Sequence, residues 1–204
     1  EHVVATAAGE RQVDRGTVAV PWFHERPGDG IFELPVLRLR TSAAEPGPPV
    51  FLLAGGPGNT YLDDLKNKAS FNSWLDAMLE QSDVVLVEQR GSDTSGTPLT
   101  CTVQANVALN EPLNEKRYTS LIADSISECQ ERFAAEDAPL SAFDILQMAA
   151  DIDRMADTLG YEKINLMGGS FGSQLGLTIT ARPHHYARAS RASPPSCFLW
   201  SGRS

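Results

Sequence analysis

Apolar and polar residues alternate along two stretches near the start of the chain, 16–22 (Gly-Thr-Val-Ala-Val-Pro-Trp) and 31–40 (Ile-Phe-Glu-Leu-Pro-Val-Leu-Arg-Leu-Arg). A period of two belongs to strands with one buried face. The turn-rich Arg26-Pro27-Gly28-Asp29-Gly30 between them predicts an antiparallel hairpin. Pro35 inside the second run predicts an edge position or a bulge, because proline has no N–H to give the ladder. The pattern then changes. After the loop Glu45-Pro46-Gly47-Pro48-Pro49, residues 50–53 and 83–87 are near-continuous apolar runs, the mark of strands covered on both faces. Between them Phe71, Trp74, Leu75 and Met78 fall on one helical face.

Residues 93–115 read as loop. Helical spacing returns with Tyr118, Leu121, Ile122, Ile126, Cys129 and Phe133, which predicts a helix over 118–135. A second helix is predicted over 145–159. Its stripe is Ile145, Met148, Ile152, Met155 and Leu159, and the two methionines in it are core packing. Asp144 with Gln147 makes a capping-box start, and Gly160 the stop. A strand over 163–167 and a helix over 171–182 follow. The alternation of strand and helix predicts an α/β fold, a parallel sheet with covering helices behind an N-terminal antiparallel hairpin.

With 204 residues the chain can bury one core. Its net charge of −9 argues against nucleic acid or an anionic membrane as partner. No apolar run approaches the roughly 20 residues that span a bilayer, and the start at Glu1-His2-Val3 carries no signal-peptide pattern. Cys101, Cys129 and Cys197 form no C-x-x-C motif and have no clustered histidines, so neither a metal site nor a cofactor is expected.

The chemistry concentrates where the 163–167 run ends. Gly168-Gly169-Ser170-Phe171-Gly172 is G-x-S-x-G between a strand and a helix, the pattern of a nucleophile elbow. Ser170 must then sit on a sharp turn with its hydroxyl clear of the sheet. Gly168 and Gly172 leave the space a Cβ would fill. A serine nucleophile needs donors for the oxyanion. The Phe171 N–H is one, and Gly55 or Gly56, in the Gly-Gly-Pro-Gly turn after 50–53, supplies the other, since Pro57 has no N–H. Glu88 and Asp93, after the second buried run, are candidates for a weak base, and Glu88 with Arg90 for an ion pair that holds the turn. His2 and His24 read as solvated surface groups.

Four segments together resemble a known family. Leu53-Ala-Gly-Gly-Pro-Gly58, Asp83-Val-Val-Leu-Val-Glu-Gln-Arg-Gly91, the Asp151–Leu166 stretch and Gly168–Gly172 are similar, in this order, to α/β-hydrolases of the proline iminopeptidase and tripeptidyl aminopeptidase group. The resemblance implies a Ser–Asp–His triad and a helical cap. It also implies a disulfide between Cys101 and Cys129, where a buried thiol on the apolar face is the other reading of Cys129. With the disulfide comes a secreted or periplasmic location.

Against that family the chain departs after residue 188. The family's acid and histidine lie on loops after later strands, whereas residues 189–204 are rich in Ser, Arg and Pro and read as an aberrant tail behind a partial hydrolase domain, 1–188. A frameshifted or truncated reading frame is the expectation. His184 and His185 fall roughly 20 Å from Ser170 along the following helix and cannot serve it. Three functions follow. The first is a serine hydrolase of small or activated esters. The second is an aminopeptidase of the proline iminopeptidase or tripeptidyl type, completed by a histidine in trans. The third is a non-catalytic fragment that self-associates. The 163–167 strand would be left as an edge, so a homo-oligomer through it or through the 189–204 tail is expected, or a tail strand from Cys197-Phe198-Leu199-Trp200 that covers it.

Overall fold

The computed structural model describes residues 2–96, 98–101, 110, 112 and 114–182, and the backbone of 197–200. The expectations placed on His184, His185, the Cys197 thiol and most of the tail fall outside these residues. The strands are β1 (His2–Thr6), β2 (Gly9–Pro21), β3 (Ile31–Leu39), β4 (Gly47–Leu53), β5 (Ser82–Val87), β6 (Asn165–Gly169) and β7 (Cys197–Trp200). They form one sheet in the order β1-β2-β3-β5-β4-β6-β7. β4 runs parallel to β5 and β6, and every other pairing is antiparallel. The α-helices are α1 (Tyr61–Asn67), α2 (Ala69–Leu79), α3 (Glu115–Ala135), α4 (Ile145–Thr158) and α5 (Phe171–Ala181).

The continuous apolar runs do what their pattern requires. Phe51, Leu53, Val85 and Val87 pack into one core with Met148, Ile152 and Met155 of α4 and Leu175 and Ile179 of α5. Val50, Leu52, Val84 and Leu86 point the other way, against Leu65, Phe71 and Leu75 of α1 and α2. Side chains that alternate between two cores make β4 and β5 strands covered on both faces.

Pro35 corrects the edge expectation. β3 lies inside the sheet, between β2 and β5, and Pro35 pairs with Thr17 in the regular register. On the other side its carbonyl accepts the Glu88 N–H at 3.2 Å, just where the β3–β5 ladder ends at Val36–Val87. The missing proline N–H falls at a ladder end, where it disrupts nothing. β1 and the short helix α1 are additions to the predicted elements. β7 lies along β6, with Gly169 opposite Cys197, so the outer side of β6 carries a tail strand.

The cap of α4 is half as predicted. Asp144 accepts the N–H groups of Leu146 and Gln147 at 2.7 and 2.9 Å. Gln147 does not reach back. Its carbonyl oxygen accepts the His24 N–H, and its amide donates to Glu25. Gly160 (φ 76) follows the last turn as C′, and Tyr161 N–H returns to the Ala156 carbonyl.

Midway along β2, where it pairs with Arg38 of β3, the Asp14 carboxylate is held down to about 2, first by the hydrogen bond from Arg40, with burial opposing and Arg38 adding. A carboxyl whose folded value lies below its unfolded one stabilises above the unfolded value, and that stability is lost as pH falls. Asp14→Asn is therefore expected to flatten the loss of stability between about pH 4 and pH 2, read by urea unfolding at each pH.

Candidate active site

Ser170 occupies the turn between β6 and α5 with φ 52 and ψ −121, one of two non-glycine residues at positive φ among those described. That conformation costs of order 1–3 kcal/mol and persists only where the surroundings force it. Here they are tightly set. A Cβ on Gly168 would lie 2.5 Å from the Gly172 carbonyl oxygen, and one on Gly172 would lie 2.2 Å from the Leu53 oxygen. Strand and helix therefore close on each other around Ser170, and Ser173 fastens the turn by donating to the Gly168 oxygen at 3.0 Å. The Ser170 side chain is left exposed, on a cleft of about 710 Å³.

The opposite wall is the loop after β4. Gly55 packs so closely that a Cβ there would stand 3.3 Å from Ser170 Cβ and 2.9 Å from the Gly169 oxygen. Among the described residues, neither Gly55 nor Gly56 donates its N–H to a protein acceptor. Phe171 begins α5 with no side chain capping it, so its N–H is one of the open donors of a helix N-terminus. Ser170, Gly55 and Gly56 line one cleft, and Phe171 follows Ser170 at the helix start.

Residues 88–90 divide into three roles, of which the sequence suggested only part. Glu88 is 1% exposed and is absent from the cleft lining. One oxygen accepts the Thr60 hydroxyl at 2.5 Å, the other that of Thr94. Since Thr60 also caps α1, Glu88 ties the loop after β4 to the loop after β5.

Gln89, missed in the sequence, donates to the Ala54 carbonyl at 3.0 Å. In a trans peptide the carbonyl and the following N–H point in opposite directions. Fixing the Ala54 oxygen toward Gln89 therefore fixes the Gly55 N–H away from it. Its signal in the sequence is a polar residue two positions past a buried strand.

Arg90 overturns the expected pair with Glu88. Its guanidinium binds Asp151 of α4 through Nε (2.5 Å) and Nη2 (2.7 Å), and reaches the carbonyls of Pro21, Trp22 and Ala142. β5 ends at Val87, and past it the chain leaves the strand conformation, so Glu88 meets Thr60 and Thr94 while Arg90 lies under the hairpin. His24 is also corrected. It sits against the same carboxylate, Nε2 at 2.8 Å from Asp151 Oδ1, because the hairpin loop folds over the start of α4.

Asp93 does line the cleft with Ser170, where it accepts the Thr100 hydroxyl. A disulfide joins Cys101 to Cys129 on α3, with Cα atoms 5.9 Å apart. Among the described residues, no group of three or more His, Cys, Asp or Glu is placed to hold a metal ion, and no helix is long and apolar enough to cross a membrane.

Gln89→Leu strands a buried carbonyl, a loss of about 1–3 kcal/mol, and frees the Gly55 peptide. If Gly55 serves the transition state, kcat should fall toward the roughly 10²–10³-fold deficit of a lost oxyanion donor. KM should be little changed, as steady-state kinetics on an activated ester will report.

Comparison with known proteins agrees with this architecture. The alpha/beta hydrolase fold family matches residues 48–192. Among solved structures, a proline iminopeptidase from Mycobacterium smegmatis superposes with a TM-score of 0.50 at 18% identity, over 84% of this chain and 41% of its own. A proline iminopeptidase-related protein from Thermus thermophilus gives 0.46 at 22%, over 83% and 41%. A Vigna radiata epoxide hydrolase variant gives 0.48 at 15%, over 87% and 37%. The chain thus spans about two fifths of the length of these structures, and at 18% identity the likeness to the first of them is one of fold. No curated protein matches the sequence.

Proposed function

Because this chain belongs to the alpha/beta hydrolase fold family, we propose that it is a serine hydrolase in which Ser170 attacks the carbonyl carbon of a small or activated ester. The observation that carries this reading is the strained Ser170, exposed on the cleft between an uncapped helix start and the packed Gly55 loop. Attack places negative charge on the carbonyl oxygen. The Phe171 N–H and that of Gly55 or Gly56 take up this charge, which preorganised donors do without reorganising.

Leaving-group chemistry separates ester from peptide. An amine departs only after protonation, the task of a general acid. The two described histidines stand elsewhere, His24 on Asp151 and His2 on β1. A phenolate leaves without that proton. Asp93 is the carboxylate from the loop after β5 that lines the same cleft and can take the serine proton as a weak base.

The test is turnover of 4-nitrophenyl acetate and of prolyl and tripeptidyl anilides by the purified protein and by Ser170→Ala. Ester turnover that falls to the buffer rate in Ser170→Ala, with the anilides untouched, is expected. Anilide turnover would replace this reading with the aminopeptidase one. Ester turnover that survives in Ser170→Ala would remove Ser170 from the chemistry.

A further inference from the structure

We propose that the pocket beside Asp93, walled by Pro57, Leu99, Phe143 and Met148, is a subsite for a neutral apolar substituent of the substrate, such as a phenyl ring. The inference rests on the ester-hydrolase reading of Ser170. The pocket holds about 350 Å³ and shares Gly58, Asn59 and Asp93 with the cleft that Ser170 lines, so one ligand can occupy both. A closed apolar cavity of about 150 Å³ already takes benzene.

The space exists because residue 91 has no side chain. A Cβ on Gly91 (φ 77) would come within 3.3 Å of both Leu99 Cγ and Phe143 Cδ1. The Leu99 N–H donates to the Gly91 carbonyl at 3.0 Å and holds that wall in place.

Arg90 also lines the pocket, which at first sight suits an anion. Its hydrogen bonds say otherwise. A guanidinium has five N–H donors, and those of Arg90 go to Asp151 twice and to the carbonyls of Pro21, Trp22 and Ala142. No donor remains for a ligand carboxylate, Asp151 balances the charge, and Asp93 at the shared rim repels an anion. Asn59 and Thr100 add polar groups beside Asp93, the Thr100 hydroxyl being given to Asp93, and the remaining wall is apolar.

Two readouts test this. The first is the ratio of kcat/KM for 4-nitrophenyl phenylacetate over 4-nitrophenyl acetate. It should exceed about tenfold in the wild type, the size of effect a filled apolar pocket gives, and fall toward one when Leu99→Trp fills the space. An equal ratio in both proteins would overturn the proposal.

The second needs no turnover. In Ser170→Ala protein labelled at methionine methyls, the Met148 signal should shift with methyl phenylacetate and stay in place with methyl acetate or sodium benzoate. No shift, or an equal shift with benzoate, would overturn it. Should the wild type hydrolyse neither ester, the esterase reading falls, and the Met148 signal still decides the pocket.

Discussion

Asp151→Asn is expected to lower the unfolding free energy by about 3–5 kcal/mol, the penalty for leaving one member of a buried ion pair without the other. The Arg90 side chain is 0% and the Asp151 side chain 3% exposed, and the guanidinium donates five hydrogen bonds to three separate segments. Asparagine keeps the shape and removes the charge, so a cation is left in the core. Against a whole-domain stability of about 5–15 kcal/mol this is a large fraction, and it should appear as a lower urea midpoint. Replacing both partners with apolar residues, Arg90→Met with Asp151→Leu, should not recover the loss, because the carbonyls of Pro21, Trp22 and Ala142 then lose their donor. A midpoint in Asp151→Asn within experimental error of the wild type would mean that the network does not hold the hairpin to α4.

Among the glycines whose surroundings are described, Gly172→Ala is expected to be the most damaging added methyl. The added Cβ would stand 2.2 Å from the Leu53 carbonyl oxygen and 2.9 Å from its carbon, both backbone atoms of the inner strand β4. Neither can swing aside as a side chain would. The helix must move, at about 1–3 kcal/mol or more for overpacking, and Ser170 moves with it. A displacement of about 1 Å in a reacting group is worth around 10²-fold in rate, so ester turnover should fall more steeply than stability. Gly160→Ala is the control. No atom lies within 4 Å of a Cβ there, and only the positive φ of 76 is strained. It should lose about 1–2 kcal/mol, the left-handed penalty, and leave the site untouched. Thermal unfolding and ester kinetics on the two variants separate space from strain.

Much of this was legible in the sequence because it is local. Val50–Leu53 and Val84–Val87 state their double burial in consecutive letters, and the Ile145–Leu159 stripe with Asp144 before it states a helix and its start. Gly168–Gly172 states the elbow, since its geometry needs small residues at fixed spacing.

What was not legible is contact between distant segments. Arg90 and Asp151 lie 61 residues apart. Nothing near Arg90 distinguishes a buried partner on α4 from the neighbouring Glu88. His24 carries no local mark of burial, because its cover comes from Gln147 and Asp151, across the fold. β1 was overlooked because its side chains are mostly exposed, and α1 because so short a helix, with Leu65 alone buried, carries no periodicity. Pro35 misled for a different reason. The rule that keeps proline out of inner strands concerns its missing N–H, and a strand whose ladder ends at that residue satisfies the rule from inside the sheet.

Whether Ser170 is a nucleophile served by an oxyanion hole is tested by intact mass and peptide mapping after treatment with an alkyl fluorophosphonate, which a serine with poised oxyanion donors attacks to form a stable adduct. A single phosphonyl group per chain is expected, on the peptide that contains Ser170, and none on Ser170→Ala. Absence of the adduct in the wild type, or an adduct that persists in Ser170→Ala, would contradict it.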